Sequence, residues 1–140
     1  MSPNPMLGPV VALVAWTLVM WLWMYVTRIP AILKARMRLD PNAPRGEQMA
    51  QLPPQVRWKA DNYNHLMELP TVFYAVTLAL AVLGDQSAIS LGLAWAYVVL
   101  RVVHSLWQAL FNVIQVRFAL FVLSTLPLFG LTWRAAQALF

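Results

Sequence analysis

Twenty consecutive residues, Leu7 to Val26, carry no formal charge. A helix over them, at about 1.5 Å per residue, spans roughly 30 Å, the thickness of a bilayer's hydrocarbon core. Three more apolar runs follow. One extends from about Ala60 to Leu83, interrupted by Asp61 and Glu68; one from Ala88 to Val116, with Arg101 as its only formal charge; one from Phe118 to Trp133. The chain is 140 residues long, 61% hydrophobic and 11% charged. A soluble domain of that size could not enclose so much apolar surface, so lipid is its natural solvent. The short connections between runs predict an all-α fold: a membrane-embedded, antiparallel four-helix bundle forming one domain over 1–140, with helices at about 7–38, 56–83, 88–115 and 117–138.

The first run reads as a membrane helix and not as a signal peptide. Met1 to Met6 carries no base, and Trp21, Trp23, Tyr25 and Arg28 stand where small cleavage-site residues would be needed. Pro30 should bend its later part. Asp40-Pro41-Asn42-Ala43-Pro44-Arg45-Gly46 is turn chemistry, and Pro53-Pro54 marks the start of the next helix. Pro70 should kink the second span and Pro127 the fourth. Gly84 to Ser87 forms a tight turn, and the last reversal lies between Asn112 and Arg117.

The net charge of +5 is concentrated. Arg28, Lys34, Arg36, Arg38, Arg45, Arg57 and Lys59 lie in or beside the first loop. That asymmetry is the signature of a cytoplasmic loop in a multi-pass membrane protein. The 28–57 loop and the Arg117 turn then face the cytoplasm, and both termini face the other side. Contact of these cations with anionic membrane lipids accounts for the charge, and nucleic acid is not an expected partner. There is no cysteine, hence no disulfide, thiolate metal site or cysteine nucleophile. His65 and Glu68 have the spacing of a carboxylate-bridged metal motif, but no second motif accompanies them, so no metal is expected. The seven tryptophans read as interfacial anchors and packing groups.

The informative polar residues lie within the apolar runs. Positions 57, 61, 64 and 68 are spaced by four, three and four, which puts Arg57, Asp61, Asn64 and Glu68 on one helix face, with His65 at its edge. On the third span Arg101, His104, Gln108, Asn112 and Gln115 form a second ridge, with Ser105 beside it. Glu68 lies ten residues beyond Trp58, roughly 15 Å from the helix start, and His104 twelve residues before Val116, roughly 18 Å from the same membrane face. The depths match, so Glu68 is expected to meet His104 or Arg101. A carboxylate inside a membrane helix costs about 2.5–3.5 kcal/mol on insertion scales, so such a residue is functional by default. Polar residues also join membrane helices without further purpose. Two matched ridges beneath a cationic rim (Arg57, Lys59, Arg117) favour a cytoplasm-facing pocket for a polar, anionic ligand, narrowing to a buried carboxylate.

The residues that carry these ridges resemble a known family. "ADNYNHLMELPTVFYAV", Ala60 to Val76, and "RVVHSLWQALFNVIQVRF", Arg101 to Phe118, resemble the second and third helices of the MAPEG family, the membrane-associated proteins in eicosanoid and glutathione metabolism. The likeness to the family covers nearly the whole chain, and the segment ELPTVFYA, Glu68 to Ala75, resembles its bacterial branch, which implies a bacterial inner membrane. It implies a homotrimer with sites between protomers that open to the cytoplasm. Glutathione is then co-substrate, held by cationic side chains and transferred to lipophilic electrophiles or used to reduce lipid peroxides. By that resemblance Arg117 takes the place of the arginine that stabilises the thiolate, a role that a nearby cation in a dry site can fill. Arg57, Lys59, Asp61, Asn64, His65, Glu68, Arg101, His104, Gln108 and Asn112 are the expected binding residues. Arg101 and His104 match the Arg-x-x-His start of the prostaglandin-synthase branch. Three positions depart from the family: His65 stands where an Asn is common, Gln108 where a glutathione-contacting Tyr is frequent, and Phe118 where the prostaglandin branch has Ser. These departures argue against prostaglandin or leukotriene synthesis.

Two functions follow from the sequence. The first is a membrane-bound transferase or peroxidase for glutathione or another low-molecular-weight thiol. The second is a non-catalytic protein on the same fold that binds a lipid or a partner helix. A transporter is disfavoured by the absence of internal symmetry and broken helix pairs.

Overall fold

The computed structural model describes residues 3–140; of the opening Met1–Met6 segment, Met1 and Ser2 lie outside it. It contains α1 (Leu7–Lys34), a short 3-10 turn (Met49–Gln51), α2 (Pro54–Leu66), α3 (Leu69–Val82), α4 (Ala88–Leu110) and α5 (Ile114–Leu139). α2 and α3 together make one span, so four segments are long and apolar enough to cross a membrane. The architecture is all-helical, as the apolar runs predicted.

Two helix ends fall several residues short of the sequence expectation, each for a local reason, and the last helix starts at Ile114 instead of residue 117. α1 continues through Pro30 but stops at Lys34, short of residue 38. Arg36 adopts a left-handed φ of 50°, and the Arg36 and Met37 N–H groups bond back to the Leu33 and Ile32 carbonyls. This is the six-to-one helix-ending motif, here without the usual glycine. α4 stops at Leu110, short of residue 115. Asn112 takes φ 52° and returns its N–H to the Trp107 carbonyl at 2.9 Å. Asparagine tolerates that conformation because its short polar side chain bonds locally.

The expected kink at Pro70 is a complete interruption. Proline has no N–H and its ring clashes with the carbonyl four residues back, here Leu66, where α2 ends. Met67 and Glu68 bridge the gap, and Glu68 leaves helical geometry (φ −92°, ψ −104°). Its carbonyl is taken up by the Thr71 N–H (3.1 Å) and Thr71 Oγ1 (2.6 Å), which restarts the chain as α3.

Adjacent spans run antiparallel, and each end of the bundle is tied by hydrogen bonds. At one end Asn4 Nδ2 donates to the Ala81 and Asp85 carbonyls at 3.0 and 3.3 Å, and Arg134 reaches the 85–90 turn. At the other, Lys59 of α2 meets the last turn of α4. Between them the main core packs Leu13, Phe73, Leu80, Tyr97, Leu128 and Leu131. The Phe73 and Tyr97 rings stack at 4.4 Å between centroids. Among helices in lipid such contacts act by close packing, and small residues let backbones approach. Gly130 serves this between α5 and α4: a Cβ there would lie 2.9 Å from Leu93 Cδ1. Outward faces carry Val11, Leu18, Val26, Leu126, Phe129 and Trp133, a lipid-facing composition.

Candidate functional site

The face of α2 that packs into the bundle is not the one the spacing singled out. Lys59, Asn62 and Leu66 point inward; Asp61, Asn64 and Glu68 are exposed on the single chain, and Arg57 is half-buried. The ridge of Arg57, Asp61 and Asn64 does share a face, but it is an outer one, and the break at Met67 takes Glu68 off the helix. Within one chain the expected buried carboxylate at the bottom of a pocket is corrected: the Glu68 side chain is 67% exposed.

The pairing of Glu68 with His104 or Arg101 is corrected as well. Glu68 Oε2 sits 2.8 Å from His65 Nδ1, brought there by the turn that Pro70 imposes. Arg101 lies fully buried on α4 and donates from Nη2 to the His65 carbonyl at 3.3 Å. His65 thus stands between the carboxylate and the guanidinium.

On α4 the ridge is real over Arg101, His104 and Gln108, all buried, with Ser105 beside them. Asn112 belongs instead to the turn, and Gln115 is exposed in the first turn of α5. Several polar atoms of this ridge have no partner among the described residues: Arg101 Nε and Nη1, both ring nitrogens of His104, and Gln108 Oε1. Buried polar groups left in this state mark a place for water or ligand atoms.

Two clefts are lined by residues that the sequence singled out. The first, of about 250 Å³, is lined by His65, His104, Ile114, Arg117, Phe118 and Phe121. Asn112 Oδ1 accepts from Arg117 Nη1 at 2.8 Å and fixes the guanidinium beside the cleft. The Phe121 ring stacks on His65 at 5.3 Å and lies 5.8 Å from the Arg101 guanidinium carbon. The second cleft, of about 400 Å³, lies where α2 meets the first loop; Arg28, Arg45 and Arg57 line it together with Asp61 and Asn64. Its three guanidiniums suit carboxylates, and its one carboxylate suits an amine.

Lys59, an expected ligand-binding residue, is committed elsewhere. It is 8% exposed, donates to the Gln55 and Ala109 carbonyls at 2.8 and 3.3 Å, and lies 5.2 Å from the Trp23 ring centre. A cation on the free carbonyls that end α4 is favourably placed. Sequence reasoning passed over Asn62 and Phe121. Asn62 Nδ2 donates to Ser105 Oγ at 2.5 Å and joins α2 to α4. The spacing of 59, 62 and 66 carried that signal. Phe121 lies one turn beyond Arg117 and in an apolar run had nothing to distinguish it.

No curated protein and no solved structure matches the chain significantly. A family model does match, over residues 6–137, and so takes in all four spans and both clefts. With that coverage the chain belongs to the MAPEG family, whose members are membrane proteins associated with glutathione and lipophilic substrates.

Proposed function

We propose that this protein is a membrane-bound transferase or peroxidase that activates glutathione, or another low-molecular-weight thiol, for attack on lipophilic electrophiles. The observation that carries the reading is the composition of the smaller cleft: an anchored Arg117 and two imidazoles facing an apolar wall of Ile114, Phe118 and Phe121. A thiol is nucleophilic as its thiolate, and a fixed cation in a site poor in water favours that form. The apolar wall suits an electrophile arriving from the bilayer. The basic cleft at Arg28, Arg45 and Arg57 would hold the carboxylates of the thiol peptide, with Asp61 and Asn64 toward its amino group and amides.

The exposed polar face of α2 favours a working form in which another copy covers it, and the family resemblance makes that form a homotrimer. Glu68 is at the midpoint of the second span, Pro54–Val82. A carboxylate left facing lipid there costs about 2.5–3.5 kcal/mol. A neighbouring copy covering Asp61, Asn64 and Glu68 removes that penalty and closes the site between protomers. With the basic first loop in the cytoplasm, the Arg117 turn faces the same compartment.

The test is turnover. Purified protein in detergent is given glutathione with a lipophilic aryl chloride or a lipid hydroperoxide, beside Arg117→Ala. Thiol-dependent product that the variant fails to form supports the assignment. Equal product from both removes Arg117 from the chemistry, and no product from either favours a non-catalytic lipid-binding role.

A further inference from the structure

The reading above gives the thiolate a cation but gives its proton no destination. We propose that His65 is the proton acceptor of the site and Glu68 its positioning residue. The inference rests on the thiol-activating reading and extends it to a residue at which this chain departs from the family pattern.

The geometry is that of an oriented base. Glu68 Oε2 lies 2.8 Å from His65 Nδ1, so an ionised carboxylate accepts a hydrogen bond from Nδ1–H and favours that tautomer. The lone pair is then on Nε2, which has no partner among the described residues. The ring is held by stacking on Phe121 at 5.3 Å and by an edge contact with His104 at 5.1 Å, and it lines the same cleft as Arg117. On the single chain its side chain is 22% exposed, and the cleft it lines gives the ring access to a bound thiol.

His104 is the competing candidate and fits less well. It is 1% exposed, no carboxylate orients it, and neither ring nitrogen has a partner. Its place is to buttress His65. The groups facing His65 are Glu68 from its own turn, Arg101 and His104 from α4, and Arg117 from α5. The two guanidiniums favour the thiolate that forms beside them. The carboxylate stabilises the imidazolium once the proton is taken.

The step balances with an aryl chloride as electrophile. The thiol S–H proton moves to His65 Nε2, and the thiolate forms beside Arg117. The sulfur lone pair makes the S–C bond, the C–Cl pair leaves as chloride, and His65 returns its proton to water. No oxidant or reductant is needed.

The experiment follows glutathione conjugation to a chlorodinitrobenzene across pH, with glutathione affinity measured alongside. It uses the detergent-solubilised full chain and its variants His65→Asn, His65→Gln, Glu68→Gln and Arg117→Ala. His65→Asn restores the family's usual residue type and guards against a folding defect. We expect both His65 variants to keep glutathione affinity, lose the ionisation limb of the kcat profile and fall about a hundredfold in kcat. Glu68→Gln should keep the limb but displace it. If Arg117→Ala is inactive while the His65 variants keep wild-type kcat and pH profile, the proton-acceptor inference is wrong and the thiol reading survives. If the wild-type chain neither binds glutathione nor forms product, both fall.

Discussion

Asp85→Ala should loosen the end of the bundle where Asn4, the 85–90 turn and Arg134 meet. The hydrogen bonds there admit one consistent proton assignment. Arg134 Nε and Nη2 donate to Ser90 Oγ and Ser87 Oγ, each at 3.2 Å. Ser87 Oγ donates to Ser90 Oγ at 3.0 Å, and Ser90 Oγ donates in turn to Asp85 Oδ2. Asp85 Oδ1 accepts from the Ser87 N–H at 2.8 Å, and Ser87 Oγ caps α4 by accepting from the Ser90 N–H. The carboxylate is therefore the terminal acceptor for α4 and α5 together. Alanine leaves the Ser90 hydroxyl, which is fully buried, without its charged acceptor, a loss of about 1.5–3 kcal/mol. The weakened turn before the cap adds about 1 kcal/mol. The ion pair with Arg134 at 3.8 Å is partly exposed and adds about 0–1 kcal/mol. A total of about 2.5–5 kcal/mol is expected. It is measured by equilibrium SDS titration of the detergent-solubilised protein, read by tryptophan fluorescence. The same carboxylate gives a pH signature. Burial pushes the Asp85 carboxyl up, but the hydrogen bonds from Ser90 and Ser87 and the charge of Arg134 outweigh it and hold it below its ordinary value of 3.8. Its stabilisation is fully present above that value and is lost as pH falls through the lower folded-state pKa. Asp85→Asn should abolish that acid-sensitive component. An Asp85→Ala variant as stable as wild type, with the same acid response, would refute the reasoning.

Replacing Gly130 by Leu should cost about 1–3 kcal/mol in the same titration, because even a Cβ there meets Leu93 at 2.9 Å. Gly130→Ala should cost less, since Leu93 can turn aside and alanine is the better helix former. Asn62→Ala should cost about 1 kcal/mol, the scale of interhelical side-chain hydrogen bonds in membranes. A double-mutant cycle with Ser105→Ala should show that the two residues act as a pair, and additive effects would place the Asn62 contribution elsewhere.

The four spans were legible because apolar length is a direct consequence of bilayer thickness, and the interruption at Pro70 was signalled by the residue itself. Helix ends were less legible. Arg36 and Asn112 end α1 and α4 in left-handed conformations, and neither position carries the glycine that usually announces one. The helical period held for Arg57, Asp61 and Asn64 on α2 and for Arg101, His104 and Gln108 on α4, but not for Glu68, Asn112 and Gln115, and periodicity alone does not say which face turns inward. On α4 the polar face is the buried one, through Arg101, His104 and Gln108. On α2 the inner face is Lys59, Asn62 and Leu66, and the denser polar face is left outside. A four-helix bundle with one apolar core would bury the more apolar side of α2. In the proposed homotrimer the outer polar face of α2 would meet a second copy, and periodicity does not distinguish that interior from the core of the single chain. The Glu68–His65 contact needed a broken helix, whose geometry is fixed by which backbone groups find new partners after Pro70, and the spacing of residues carries no record of that.

The most direct test of the thiol site is calorimetric titration of glutathione into the purified, detergent-solubilised chain beside Arg117→Ala. Saturable binding by the wild type that is lost or greatly weakened in the variant is the predicted result. Absence of binding by the wild type at millimolar glutathione, or equal binding by both proteins, would contradict it.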